Sequence, residues 1–149
     1  MEIMIDSKDE KILVELRKDA RQTSKQISSK TLIPLTTVHN RIKKLERGGI
    51  IKNYTIHMDD KALGTISAYV MAVVGNKFLG EEGKDEKGAI KSLRSHPNVE
   101  YASMLTGSFD IMLKVRVKNI SELDEFVTKY LRSVPGIEST QTMIVLNET

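Results

Sequence analysis

The side chains able to do covalent or metal chemistry are few and badly spaced for it. The chain has three histidines, His39, His57 and His96, and no cysteine. No two histidines stand close enough in sequence to share one zinc ion, and there is no thiolate to complete such a site. Gly83-Lys84 is followed by Asp85, where a phosphate-binding loop needs Ser or Thr, and Phe78 stands where that loop needs its first glycine. No Gly-x-Ser-x-Gly nucleophile elbow is present in the sequence either. Neither an enzyme nor a metal or cofactor site is expected.

A different chemistry is concentrated between Pro34 and Arg47. Val38, Ile42 and Leu45 repeat at spacings of four and three, which places them on one stripe of a helix. The remaining face then presents Thr36, Thr37, Asn40, Arg41 and Lys44, with His39, Lys43 and Arg47 beside them, and no carboxylate before Glu46. Arg and Lys donate to guanine or phosphate, Asn matches adenine, and Thr serves either. The expectation is a recognition helix lying in a DNA major groove. Thr36, Thr37, Asn40 and Arg41 are expected near base edges, Lys43, Lys44 and Arg47 toward phosphates, and Ser24 and His39 complete the predicted contact set. Neutralising about six to eight phosphates per dimer predicts a slope of log affinity against log salt of roughly −5 to −7. On this reading, replacing Arg41 with Ala abolishes specific binding without harm to the fold.

The elements that must hold this helix are legible on either side of it. From Asp6, Ile12, Leu13, Leu16 and Ala20 fall at helical spacing, predicting a first helix that ends near Arg21. Thr23 or Ser24 caps a second that carries Ile27 inward, and Pro34 pre-sets the start of the third. Gly48 and Gly49 stop that helix, and Ile50, Lys52, Tyr54 and Ile56 predict a two-stranded wing. The charge agrees with this placement. The net +3 lies wholly in residues 1–60, with 12 basic and 9 acidic side chains, against 11 of each in residues 61–149. The longest apolar run, Ala68 to Val74, is too short to span a bilayer, so a cytoplasmic, membrane-free protein is expected.

Beyond residue 60 the sequence repeats itself. Leu93-Arg94-Ser95-His96-Pro97-Asn98-Val99-Glu100 returns 38 residues later as Leu131-Arg132-Ser133-Val134-Pro135-Gly136-Ile137-Glu138. Each copy ends a predicted helix and starts a strand. Ile66 to Val74 reads as a strand and Glu86 to Arg94 as a helix. Further on, Ile111, Leu113, Val115 and Val117 alternate with Lys114, Arg116 and Lys118. A helix with the stripe Leu123, Phe126, Val127, Tyr130, Leu131 follows, capped by Ser121 with Asp124 in the capping box. Strand-helix-strand written twice predicts an α+β chain: a winged helix-turn-helix over residues 1–60, a linker strand near 54–65, and a ferredoxin-like βαββαβ domain over 66–149. Its helices cover one sheet face, and Met71, Val73, Met104 and Met112 add apolar area on both faces, so at least a dimer is expected. Gly75 to Gly88 reads as a long connection.

With both halves in view, the chain resembles the Lrp/AsnC, or feast/famine, regulators over essentially its whole length. The shared motifs are Asp6-x-x-Asp9-x-x-Ile12-Leu13-x-x-Leu16, Asp19-Ala20-Arg21, Thr37-Val38-x-x-Arg41-Ile42-Lys43-Lys44-Leu45-Glu46 and Gly49-Ile50-Ile51-Lys52-x-Tyr54. In the second half they are Thr106-Gly107-Ser108-Phe109-Asp110, Pro135-Gly136-Ile137 and Thr140-x-Thr142. One departure is clear: Leu32-Ile33-Pro34 stands where the family usually has a Gly followed by Leu-Ser.

The resemblance implies a transcription regulator with a RAM/ACT-like second domain. It implies homodimers assembling to octamers on pseudo-palindromic double-stranded DNA, switched by a small molecule, usually an amino acid. It places that effector between subunits, at Leu105, Thr106, Gly107, Ser108, Phe109 and Asp110, with Thr140, Gln141 and Thr142 nearby. Free main-chain amides beside Gly107 would hold a carboxylate and Asp110 an α-ammonium. Two rival readings are a sirohaem-decarboxylase-like enzyme and an architectural DNA-compacting protein. The first usually carries an Arg pair where this chain has Lys52-Asn53.

Overall fold

A computed structural model describes the backbone of residues 4–75 and 86–147. The expected connection 75–88 therefore lies mostly outside the described residues. The chain divides into two compact units, Met1–His57 and Met58–Thr149.

The first unit is three helices: α1 (Ser7–Lys18), α2 (Ser24–Thr31) and α3 (Leu35–Arg47). Asp6 and Asp9 close a reciprocal capping box on α1, and Thr23 and Gln26 do the same on α2, so each start satisfies its own orphan amides. Helix α1 stops three residues before the expected end. Asp19 is extended there and its Oδ1 accepts from the Arg21 N–H at 2.8 Å, which turns the chain out of the helix. Ile12, Leu16, Ile27, Ile33 and Val38 bury together, with Ile42 and Ile51 packed against them, as the apolar spacing predicts.

In the turn between α2 and α3, Leu32 takes a left-handed conformation (φ 58°) with 90% of its surface exposed. Two local expectations, the wing and the linker strand, are corrected. The predicted two-stranded wing does not form a ladder: Lys52 to Asp59 carry no strand, and Tyr54 is tied back to α3 through its hydroxyl on Glu46 Oε1 at 2.8 Å. A two-stranded ribbon with no third strand beneath it is marginal in water. The expected linker strand instead ends in a single helical turn, α4 (Asp60–Leu63), capped by Asp59 and closed by left-handed Gly64.

The second unit has β1 (Ile66–Val74), α5 (Glu86–Ser95), β2 (Val99–Met104), β3 (Ile111–Val117), α6 (Ile120–Glu125) and β4 (Ile137–Ile144). All neighbours in the sheet, β2-β3-β1-β4, run antiparallel. This is the ferredoxin-like order expected from the repeat. Ala68, Val70, Ala72, Ile111, Leu113, Val115 and Val117 point to the helices and pack on Leu93, Leu123, Phe126 and Leu131. Met71 and Met112 pair across β1 and β3 on the opposite face, while Met104 pairs with Ile111 and shares the helix side.

Helix α6 begins earlier than expected. Asn119, not Ser121, is its cap: Asn119 is extended (φ −162°) and its side chain accepts from the Glu122 N–H at 2.9 Å, so Asp124 loses its capping-box role. After Glu125 the helix widens into a π-helical turn, Phe126–Leu131. Phe126 and Leu131, both on the apolar stripe expected for this helix, are buried.

Candidate nucleic-acid interface and ligand turn

Helix α3 lies with Val38 and Leu45 fully buried and Ile42 packed against the same core. At about 100° per residue, the line most opposite to these runs through Thr36, Asn40, Lys43 and Arg47, spaced four, three and four. All four are exposed, as are His39 and Lys44 on the flanks. Thr37 is half-buried toward the core, and Ser24 is half-buried as the first residue of α2. The exposed stripe therefore combines a hydroxyl, an amide and two cations at successive helical turns, a set suited to base edges and phosphates. Lys44 also donates to the Met4 carbonyl oxygen at 3.3 Å.

Arg41 is the exception, and its expected place near base edges is corrected. It turns inward to α1, where Nη1 donates to Asp6 Oδ1 at 2.7 Å and Asp9 Oδ1 at 2.9 Å. Its side chain is 22% exposed and that of Asp9 is fully buried. Donating to the carboxylates of Asp9 and then Asp6 makes the guanidinium hold its proton more tightly than usual. The Asp9 N–H and the Arg41 guanidinium in turn hold the Asp6 carboxyl below its ordinary 3.8. A cation spent inside the fold is not free for DNA. Sequence spacing put Arg41 about 60° from Lys44 on the helix and could not register a partner 32 residues away. The same ion pair adds Asp6 and Asp9 to the residues that matter to this helix, where the sequence had shown them only as a helix start.

In the second unit the turn between β2 and β3 is Leu105 to Asp110. The Leu105 N–H donates to the Asp110 carbonyl at 2.8 Å, and the Asp110 N–H to the Ala72 carbonyl at 2.9 Å. Asp110 Oδ2 accepts from the Val74 N–H at 2.9 Å, so this carboxylate pins the turn to the end of β1. Thr106, Gly107 and Ser108 are exposed, Leu105 and Phe109 half-buried. Gly107 has φ +122° with open space where a Cβ would stand, so its glycine answers to backbone conformation rather than crowding. Thr140, Gln141 and Thr142 are exposed on β4, but not beside the turn. Ala72 pairs with Ile111 on one side and Thr140 on the other, which separates the two groups by two strand spacings, roughly 10 Å. Gln141 also points to the sheet face opposite Thr140 and Thr142.

With this geometry in hand, comparison with known proteins is decisive. A family model described as winged helix-turn-helix DNA-binding matches residues 5–52, and one described as the Lrp/AsnC ligand binding domain matches residues 81–149. The HTH-type transcriptional regulator FL11 of Pyrococcus horikoshii is 35% identical over 147 residues, covering 98% of this chain and 92% of that protein.

The chain belongs to the Lrp/AsnC family.

It is a DNA-binding transcription regulator with a ligand-binding domain, and not an enzyme. Solved structures agree in fold. LrpC of B. subtilis superposes with a TM-score of 0.74 at 28% identity, covering 99% of this chain and 98% of that one. A Neisseria meningitidis transcriptional regulator, solved as a complex with L-Met, superposes at 0.77 with 24% identity, covering 97% and 92%. Among the described residues no helix is long and apolar enough to cross a membrane, and no cluster of His, Asp and Glu could hold a metal ion.

Proposed function

We propose that this Lrp/AsnC member acts in the cytoplasm as a homodimer or higher assembly on pseudo-palindromic DNA, with an amino acid setting its oligomeric state or its grip on DNA. The observation that carries the DNA half is the exposed Thr36-Asn40-Lys43-Arg47 stripe on a helix whose opposite stripe is the core. Asn40 reads an adenine edge, Thr36 a neighbouring base, and Lys43, Lys44 and Arg47 neutralise phosphates. Arg41 holds the helix in place instead of contacting bases.

The effector half rests on the turn. Exposed Thr106, Gly107 and Ser108 offer main-chain amides to a carboxylate at a point where Gly107 allows close approach. Within one chain, Thr140 and Thr142 stand across β1 from that turn, so one ligand touches both groups only where two copies meet. An amino-acid ligand is supported by the L-Met bound to the Neisseria relative. Asp110 is already engaged with the Val74 amide, so it supports the turn rather than standing free for an ammonium.

The test is footprinting on the DNA upstream of the protein's own reading frame at fixed salt, with and without each common amino acid. Protected patches one helical turn apart that shift with one amino acid support both halves. Protection that ignores every amino acid removes the effector half, and no protection by a folded protein removes the DNA half.

A further inference from the structure

The chain enters the second unit through α4, and apolar packing does not hold that turn in place. Lys52 to Asp59 before it carry no helix or strand. Lys61, Ala62, Leu63 and Gly64 are exposed, and no residue of α4 is buried. Asp60 and Thr65 are half-buried, and both turn to one side chain, Arg116 of β3. Arg116 Nη1 makes a close ion pair with Asp60 Oδ1 and donates to Thr65 Oγ1 at 3.2 Å, while the Thr65 hydroxyl donates to Asp60 Oδ1 at 2.7 Å. On its other edge the same guanidinium meets β2, where Nε donates to Glu100 Oε1 at 2.5 Å. Side-chain exposures of 12% for Arg116, 21% for Asp60 and 26% for Glu100 put the group largely out of water, where salt screens it less.

We infer that Arg116 is a positioning residue that carries the effector signal from the sheet to the linker, by gripping α4 at Asp60. Glu100 and Arg116 stand on β2 and β3, the two strands joined by the turn over residues 105–110. A ligand at that turn shifts β2 against β3. Because a guanidinium is a rigid planar fork, a shift of Glu100 relative to β3 turns the whole group and displaces Asp60 with it. With no apolar packing beneath α4, that displacement passes to the residues leading into the first unit. This inference rests on the effector site proposed above.

The experiment uses the full-length native chain, Asp60→Ala and Arg116→Lys. DNA affinity is measured at fixed salt without effector and with each common amino acid in turn, and amino-acid binding is measured by calorimetry. Lysine keeps the charge without the fork, so it serves Asp60 or Glu100 and not both. One amino acid is expected to change the native protein's DNA affinity by roughly five- to 150-fold, the usual range of coupling between two sites. Both variants are expected to bind that amino acid, and effector-free DNA, within about twofold of native, while the coupling factor falls below about two. Coupling is reciprocal, so DNA should change the native chain's amino-acid affinity by the same factor and leave that of the variants unchanged. Asp60→Glu, which keeps a carboxylate, is expected to restore part of the factor. A native coupling factor in either variant overturns the inference. Loss of amino-acid binding or of effector-free DNA binding in a variant of native melting temperature overturns it too, by placing the residue in a binding site. Loss of the melting transition in both variants makes the group a support of the fold and also overturns it. A native chain that binds DNA and responds to no amino acid overturns this inference together with the effector reading beneath it.

Discussion

The guanidinium of Arg41 on the third helix meets the fully buried carboxylate of Asp9 on the first at 2.9 Å, with Asp6 at 2.7 Å completing the group. The same Asp9 accepts from the Asp6 N–H, so one carboxylate serves a helix start and an interhelical tie at once. Removing one partner of a buried pair leaves the other charge without compensation.

Arg41→Ala is therefore expected to destabilise the first unit, read as a lower midpoint of urea unfolding. The double change Asp9→Leu with Arg41→Met is expected to recover much of that loss, because a matched apolar pair leaves no stranded charge. DNA binding should return with stability in the double variant. An Arg41→Ala protein of native stability that has lost DNA binding would put Arg41 back at the bases.

With Arg41 withdrawn from the contact set, the phosphate-facing cations are Lys43, Lys44 and Arg47 on each chain. Six per dimer give a slope of log affinity against log salt of about −5, the shallow end of the range expected from sequence. A slope near −7 or steeper in a salt titration would require cations from outside α3.

Leu32 holds a left-handed conformation (φ 58°) with nearly all its side chain in solvent. Its Cβ strains that conformation, and no packing compensates. Leu32→Gly should raise stability by about 0.5 to 1 kcal/mol, since the relief of strain exceeds the added freedom of the unfolded chain. A lower urea midpoint for Leu32→Gly would show that this side chain has a contact to lose.

His96 stacks on Tyr130 with centroids 4.2 Å apart and meets Phe126 edge-on at 4.9 Å, while Nδ1 accepts from the Asn98 N–H at 3.2 Å. Burial lowers its pKa below 6.5, against an opposing pull from Glu122. A histidine held neutral by the fold contributes stability above its unfolded pKa and loses it as pH falls through the lower folded value. The melting temperature of the second unit should accordingly drop on acidification below about 6.5, and His96→Phe should flatten that part of the profile. NMR titration giving His96 a pKa above 6.5 would refute the sign.

Gly107 sits at φ +122°, where a side chain is strained even with open space around it. Gly107→Ala should cost about 1 to 2 kcal/mol in the second unit and weaken amino-acid binding measured by calorimetry, while DNA affinity without effector stays within about twofold. Loss of DNA binding in that variant would mean that the turn serves assembly rather than a ligand.

Much of this protein was determined by sequence alone. The buried Val38-Ile42-Leu45 stripe fixed which way α3 faces, and with it the exposure of Thr36, Asn40, Lys43 and Arg47, because a helix has one period whatever it packs against. The 38-residue repeat likewise fixed strand-helix-strand twice, and antiparallel pairing of two such units leaves few sheet orders. Both are properties of near neighbours along the chain. What only the tertiary structure decided are relations between residues far apart. Arg41 could be read as a groove cation until α1 was docked beside it, for an ion pair spanning 32 residues has no signature in spacing. The strand order put β1 between Gly107 and Thr140, separating residues that family motifs had placed in one site. The expected wing failed for a related reason: alternation from Ile50 to Ile56 shows that a strand is possible there, but a strand exists only where another backbone lies alongside to take its hydrogen bonds.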